Sequence, residues 1–144
     1  MSEALKSVGA ITLFVEDLPA ARSFYERVFG QAAAFEDDNS AAFKFDNTLI
    51  NLVDARAAGD VIAPVPVASP SAGSRFLLTI WVNDVDAACA ELADRGAGLL
   101  NGPVDRPWGM RTASFTDPGG HIWELDRPAA PRVARNLDTG PGPR

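Results

Sequence analysis

Offset by 67 positions, the segment Thr12-Leu13-Phe14-Val15-Glu16-Asp17-Leu18-Pro19-Ala20-Ala21 returns as Thr79-Ile80-Trp81-Val82-Asn83-Asp84-Val85-Asp86-Ala87-Ala88. Thr, Val, Asp and the Ala-Ala pair are unchanged, and the other apolar positions stay apolar. Self-similarity of this kind marks two copies of one supersecondary unit, neither of which has to bury its apolar face alone. Function is therefore expected in a cleft lined by the copies.

Each copy reads as a strand running into a helix. Ile11, Leu13 and Val15 alternate with Ala10, Thr12 and Phe14, the period of a strand with unlike faces. Asp17 then suits a helix N-cap, with Pro19 in the first turn, where a missing N–H costs nothing. Leu18, Ala21, Tyr25, Val28 and Phe29 follow at helical spacing, and Gly30 supplies a left-handed stop. A short strand at 32–36 and two more at 41–45 and 48–53, joined by Asp46-Asn47, complete a β-α-β-β-β order. The second copy repeats it: strand 76–82, N-cap Asp84, helix face Val85, Ala88, Cys89 and Leu92, stop at Gly96, then strands near 98–100, 111–115 and 122–126. Asp117-Pro118-Gly119-Gly120 turns between the last two.

One domain of 144 residues is thus expected to hold a first module (7–53), a linker (54–75), a second module (76–127) and a Pro-rich tail (128–144). The linker is rich in Pro, Ala, Gly and Ser and lacks a sustained period. The tail, with four prolines, has the composition of a loose segment. With 47% hydrophobic residues the chain has enough apolar side chains for a packed core. Its net charge of -6 argues against nucleic acid and anionic membrane surfaces as partners, because both need clustered Lys and Arg. No apolar run approaches a membrane span of about 20 residues, and no signal-peptide pattern precedes the first strand, so a cytoplasmic location is expected. Cys89 is the single cysteine, which leaves no intrachain disulfide and no thiol cluster for zinc.

The paired modules, Val15-Glu16-Asp17-Leu18 with Ser23-Phe24-Tyr25 and Phe29-Gly30, Val82-Asn83-Asp84-Val85-Asp86-Ala87, and the run Asp117-Pro118-Gly119-Gly120-His121-Ile122-Trp123-Glu124-Leu125 together resemble the vicinal oxygen chelate superfamily, the glyoxalase/bleomycin resistance protein/dioxygenase group. The resemblance covers about residues 7–127. It implies an α+β fold in which the two βαβββ modules form a half-open eight-stranded cup, and it allows both metalloenzymes and metal-free binding proteins on that scaffold. The metalloenzymes draw ligands from the first and last strands of each module, positions that correspond here to Ala10, Asn51, Leu77 and Glu124. Ala and Leu carry no donor, and Asn offers a neutral oxygen poorly suited to transition metals. No metal and no other cofactor is therefore expected.

Strand parity then assigns the cup. Ile11, Leu13, Val15, Leu78, Ile80, Val82, Trp123 and Leu125 are uniformly apolar and belong against the helices, which turns Thr12, Phe14, Thr79, Trp81, Ile122 and Glu124 to the other side. Phe14 and Trp81 hold equivalent positions and suit either two flat ligand walls or a dimer interface. Trp108, beside Gly109, reads as a lid or as a loop anchor. Met110 and Thr112 share the parity of the cup lining. The expected ligand-binding set is Thr12, Phe14, Asn51, Thr79, Trp81, Trp108, Met110, Thr112 and Glu124. Glu124 is the one candidate acid or base, Cys89 reads as a buried apolar residue, and His121 as a turn residue. These features, with the resemblance to the bleomycin-resistance branch, point to a metal-independent, homodimeric binder of a flat small molecule. A glyoxalase-type lyase, isomerase or dioxygenase is the alternative.

Overall fold

The structure, a computed structural model, describes residues 5–128; the expectation of a loose tail lies, Pro128 apart, outside the described residues. The chain divides into two compact units between Gly73 and Ser74. In the first, β1 (Ala10–Val15), α1 (Leu18–Phe29), β2 (Phe35–Glu36), β3 (Ser40–Lys44) and β4 (Leu49–Asp54) follow in the expected order, then α2 (Ala55–Ile62) and a 3₁₀ turn at Pro70–Ala72. Its sheet runs β1-β4-β3-β2, with β1 parallel to β4 and the other pairs antiparallel. The second unit holds β5 (Leu78–Trp81), α3 (Val85–Asp94), β6 (Leu99–Asp105), β7 (Met110–Thr116) and β8 (Ile122–Pro128), in the equivalent order β5-β8-β7-β6. This is a mixed α+β fold with two four-stranded sheets, neither closed into a barrel.

The repeated start motif produces the same local structure twice. The Asp17 carboxylate accepts a hydrogen bond from the Ala20 amide and that of Asp84 from the Ala87 amide, each at 3.0 Å. Both caps satisfy an N–H that the first helical turn leaves without an intrahelical partner. Gly30 ends α1 in the left-handed conformation.

Each helix covers one face of its own sheet. In the first unit Tyr25 of α1 meets Phe43 of β3 at 5.5 Å between ring centroids, above the buried Leu13, Val15, Ile50 and Leu52. In the second, Val85, Cys89 and Leu92 of α3 are buried with Ala113, Phe115, Trp123 and Leu125, and Phe115 stacks on Trp123 at 6.3 Å. Full burial of a side chain of this size is worth about 1.5–3 kcal/mol.

Four segments differ from the sequence reading, the first being β2, which spans only Phe35–Glu36 of the expected 32–36. The expected linker opens with α2, because the Asp54 carboxylate caps the Arg56 amide at 2.9 Å and the small Ala58 packs fully buried where α2 meets β4 and β1. Strand β5 is shorter than 76–82, its ladder with β8 covering only Leu78 to Trp81. Strand β6 is longer than 98–100 and continues through Asn101-Gly102-Pro103 to Asp105. It does so by two register shifts against β7, one between Leu99 and Asn101 and one between Asn101 and Val104. Gly102 makes the second possible: its φ is +84°, and a Cβ there would lie 2.5 Å from the Thr112 carbonyl oxygen.

Candidate functional site: the helix-free sheet faces

On the second sheet, strand register sorts the side chains into two rows that cross all four strands. One row is Thr79, Glu124, Ser114 and Asn101 on β5, β8, β7 and β6; the next is Trp81, Asp126, Thr112 and Val104. Trp123, Leu125, Ala113 and Phe115 alternate with them and belong to the α3 side, so both rows lie on the face without a helix. Glu124 and Ser114 are buried, and Thr112 and Asp126 fully so, whereas Trp81 is 58% exposed.

Hydrogen bonds tie this face together. The Thr79 hydroxyl donates to Glu124 Oε1 at 3.3 Å. Arg106, from the turn that joins β6 to β7, donates through Nε to Thr112 Oγ1 at 3.0 Å and through Nη2 to Asn101 Oδ1 at 3.1 Å. Asn101 can accept because the first bulge sets two β6 residues against one of β7. Leu99 pairs with Phe115 on the α3 side, yet Asn101, two residues later, pairs with Ser114 on the other. Counting by twos from Leu99 places Asn101 on the wrong face.

The first sheet carries a related arrangement with other chemistry. Thr12, Asn51 and Ala42 form one row across β1, β4 and β3, and Phe14, Val53 and Ser40 the next. Asn51 Nδ2 donates to Thr12 Oγ1 at 3.5 Å, which repeats the Thr79–Glu124 pairing with a neutral amide in place of the carboxylate. Phe14 is half-buried at the position equivalent to Trp81. The carboxylates thus lie on the face of the second module, whereas the two corresponding rows of the first are neutral.

The expected site residues fall as follows. Thr12, Phe14 and Asn51 share the helix-free face of the first unit. Thr79, Trp81, Met110, Thr112 and Glu124 share that of the second, Met110 buried against the register position of Pro128. Trp108 sits in the β6–β7 turn, 37% exposed. Four polar residues of this face were not in the expected set: Ser114 and Asp126 share the parity of Thr112 and Glu124 and were legible by alternation, whereas Asn101 was hidden by the bulge and Arg106 by its place in the turn. His121 and Cys89 lie elsewhere. His121 Nδ1 is 3.0 Å from both oxygens of the buried Asp117 carboxylate, which also accepts the Gly119 and His121 amides, so this pair shapes the turn before β8. Cys89 is buried under α3, where desolvation pushes its thiol above the usual range.

The donor set does not fit a resident catalytic metal. Of the four corresponding positions Ala10 and Leu77 have no donor atom, and Asn51 and Glu124 each bond a threonine hydroxyl. Among the described residues no group of three His, Cys, Asp or Glu side chains is placed to hold an ion.

A family model described as the glyoxalase/bleomycin resistance protein/dioxygenase superfamily matches residues 7–125. The chain is 29% identical over 119 residues to an uncharacterized protein, YraH, of Bacillus subtilis (strain 168), with 80% of this chain and 93% of that one covered. Among solved structures, a glyoxalase-related enzyme from Fulvimarina pelagi superposes with a TM-score of 0.73 at 25% identity, over 85% of this chain and 88% of that one. TnmS3, an antibiotic binding protein from Streptomyces sp. CB03234, superposes with a TM-score of 0.63 at 29% identity, over 88% and 99%.

Proposed function

Since the chain belongs to the glyoxalase/bleomycin resistance protein/dioxygenase superfamily, we propose that it is a metal-independent binding protein for a small, flat organic ligand, which it sequesters rather than transforms. The observation that carries this reading is the exposed Trp81 ring at the end of a row of buried hydrogen-bonding side chains, Asp126 and Thr112, on a sheet face that no helix covers. An exposed indole beside desolvated polar groups offers stacking area together with directional hydrogen bonds, the combination that small-molecule sites use. The likeness to an antibiotic binding protein supports sequestration as the role. A planar ligand that buries about 300 Å² of apolar surface gains about 7 kcal/mol at about 25 cal/mol per Å²; micromolar affinity needs about 8 kcal/mol net of association costs, so the polar groups of the face have to supply the remainder.

The rival is a metal-dependent lyase, isomerase or dioxygenase, with Glu124 as ligand or as acid–base group. It needs donors that Ala10 and Leu77 lack. Two measurements on purified protein decide between them. Elemental analysis is expected to find Ni, Zn, Fe and Mn far below one per chain, and a panel of planar aromatic compounds is expected to contain some that raise the melting temperature with concentration. Near-stoichiometric metal lost in Glu124→Gln overturns the binding reading.

We further propose a homodimer. Strands β1 and β5 are edge strands, and Phe76 and Leu77 are exposed just before β5, a combination that pairing of chains would cover. Light scattering on a sizing column is expected to give twice the chain mass at micromolar concentration; a monomer mass sinks the proposal.

A further inference from the structure

Arg106 differs from the arginines that this structure pairs with carboxylates, as does Arg127, which donates to the Asn83 and Pro128 carbonyls. Arg22, Arg56, Arg95 and Arg111 each have a carboxylate oxygen within 3.4 Å. Arg111, on the α3 side of the same sheet, has two: it joins β7 to Asp86 of α3 and to Asp105 of β6, and those bonds push its pKa up. Arg106 instead donates to two neutral oxygens, Thr112 Oγ1 and Asn101 Oδ1, and among the described residues it has no ion-pair partner. A guanidinium is charged at any physiological pH. In a chain of net charge -6, with Glu124 and Asp126 on the same face, the lack of a carboxylate beside this cation is unexpected.

Its orientation is set from several sides. The Arg106 amide donates to the Met110 carbonyl at 2.6 Å and the Arg106 carbonyl accepts from the Gly109 amide at 3.0 Å, so the residue closes the β6–β7 turn at its backbone. Bonds through Nε and Nη2 hold the plane of the side chain. Of the five N–H donors of a guanidinium, two are thereby committed and the others remain for a ligand. Trp108, two residues on, presents a partly exposed ring on the same turn.

We infer that Arg106 is an anion-recognition point, and that the ligand carries a carboxylate or an equivalent planar acidic group besides its ring. This rests on the ligand-binding reading above and adds the charge of the ligand to it. Planar carboxylates match the guanidinium fork, and the neutral Thr112 and Asn101 fix that fork without neutralising it. Across the sheet, β8 with Glu124 and Asp126 is the strand next to β7, one spacing of about 5 Å beyond the Thr112 hydroxyl that Arg106 bonds. Its carboxylates repel an anion from that half. The acidic end of the ligand is therefore placed at β6 and the remainder extends toward Trp81 on β5.

The competing role for Arg106 is a brace across the β6 bulge, since Asn101 and Thr112 flank it. Three probes separate the two: 2-naphthoate, its neutral counterpart 2-naphthamide, and acetate, which has the charge without the ring. Binding is measured by calorimetry, and the Arg106 Nε–Hε resonance is followed by NMR in full-length protein. Naphthoate is expected to bind at least about tenfold more tightly than naphthamide and to move the Arg106 resonance saturably. That preference should weaken with added KCl and disappear in Arg106→Met. Equal affinity for acid and amide, or an unmoved Arg106 signal on naphthoate binding, overturns the anion point and leaves the flat-ligand reading standing. If Arg106→Met loses stability but keeps the acid preference, the residue is a brace and the inference falls. If neither ring compound binds yet acetate moves Arg106 saturably, the anion point stands and the flat-ligand reading falls; if no probe binds, both fall. The wild-type acid–amide comparison needs no variant, so it holds even if Arg106→Met does not fold.

Discussion

Two tryptophans on neighbouring strands offer a direct measure of which sheet face is core. Trp81 on β5 is 58% exposed, whereas Trp123 on β8 is 3% exposed and stacked on Phe115 with the rings 12° apart. A tryptophan presents up to about 250 Å², so less than half of that, about 100 Å², is out of water at Trp81. At about 25 cal/mol per Å² this is at most about 2.5 kcal/mol, an upper bound because the unfolded chain already covers part of it. Alanine retains some of that area, so Trp81→Ala is expected to cost about 1–2 kcal/mol. Trp123→Ala removes a packed ring from the core and should cost about 3–5 kcal/mol. In urea, with a slope of about 1–3 kcal/mol per M, the two variants should differ in midpoint by about 1 M. Far-UV circular dichroism at one fixed protein concentration gives the comparison without relying on the tryptophans that are removed, and keeps any dimer contribution constant. The same Trp81→Ala protein should lose about 1–3 kcal/mol of affinity for a planar compound that stabilises the wild type. Should Trp81→Ala prove as costly as Trp123→Ala, the ring is core or is covered by another copy of the chain, and the assignment of this face to ligand is wrong.

The Gly102→Ala variant should lose upward of about 2 kcal/mol, since it forces a side chain into a left-handed backbone against the Thr112 carbonyl; thermal unfolding within 1 °C of wild type would show that the bulge tolerates a Cβ. Side-chain and backbone bonds from Arg56 hold the Asp54 carboxyl down to about 2, below its usual 3.8. A depressed acid adds stability that is present above the unfolded value and is lost as pH falls through the folded one. Protection of the α2 amides is thus expected to decline between about pH 4 and pH 2, with the decline reduced in Asp54→Asn. Carboxyl NMR giving an ordinary Asp54 titration would contradict this.

The divergence of the two modules bears on how one scaffold can be reused. Both keep a threonine on the edge strand, Thr12 and Thr79, bonded to a side chain of the adjacent strand. Only the second has a carboxylate in that place, a second one two residues on at Asp126, and an arginine reaching over from a turn. The two modules present equivalent faces, and the carboxylates lie on that of the second.

Much of the fold is written in local pattern. The 67-residue offset, the capping aspartates Asp17 and Asp84, and the two-residue alternation of β1, β5, β7 and β8 are properties of short segments, because capping and pleat depend on neighbours along the chain. They were enough to name the βαβββ order and to place Thr12, Phe14, Thr79, Trp81, Thr112 and Glu124 on the helix-free faces. What could not be read from alternation depends on the partner strand. A bulge changes parity without any mark in the β6 residues beyond a glycine, so Asn101 crossed to the other face and Arg106 found two acceptors that lie 5 and 6 positions away along the chain. Helix α2 was equally hidden, because a segment of 8 residues is too short to be a stable helix alone, whatever its alanine content, and is held where α2 meets β4 and β1 with Ala58 buried. Local pattern therefore decided which strands and faces exist, and tertiary pairing decided which polar groups meet on them.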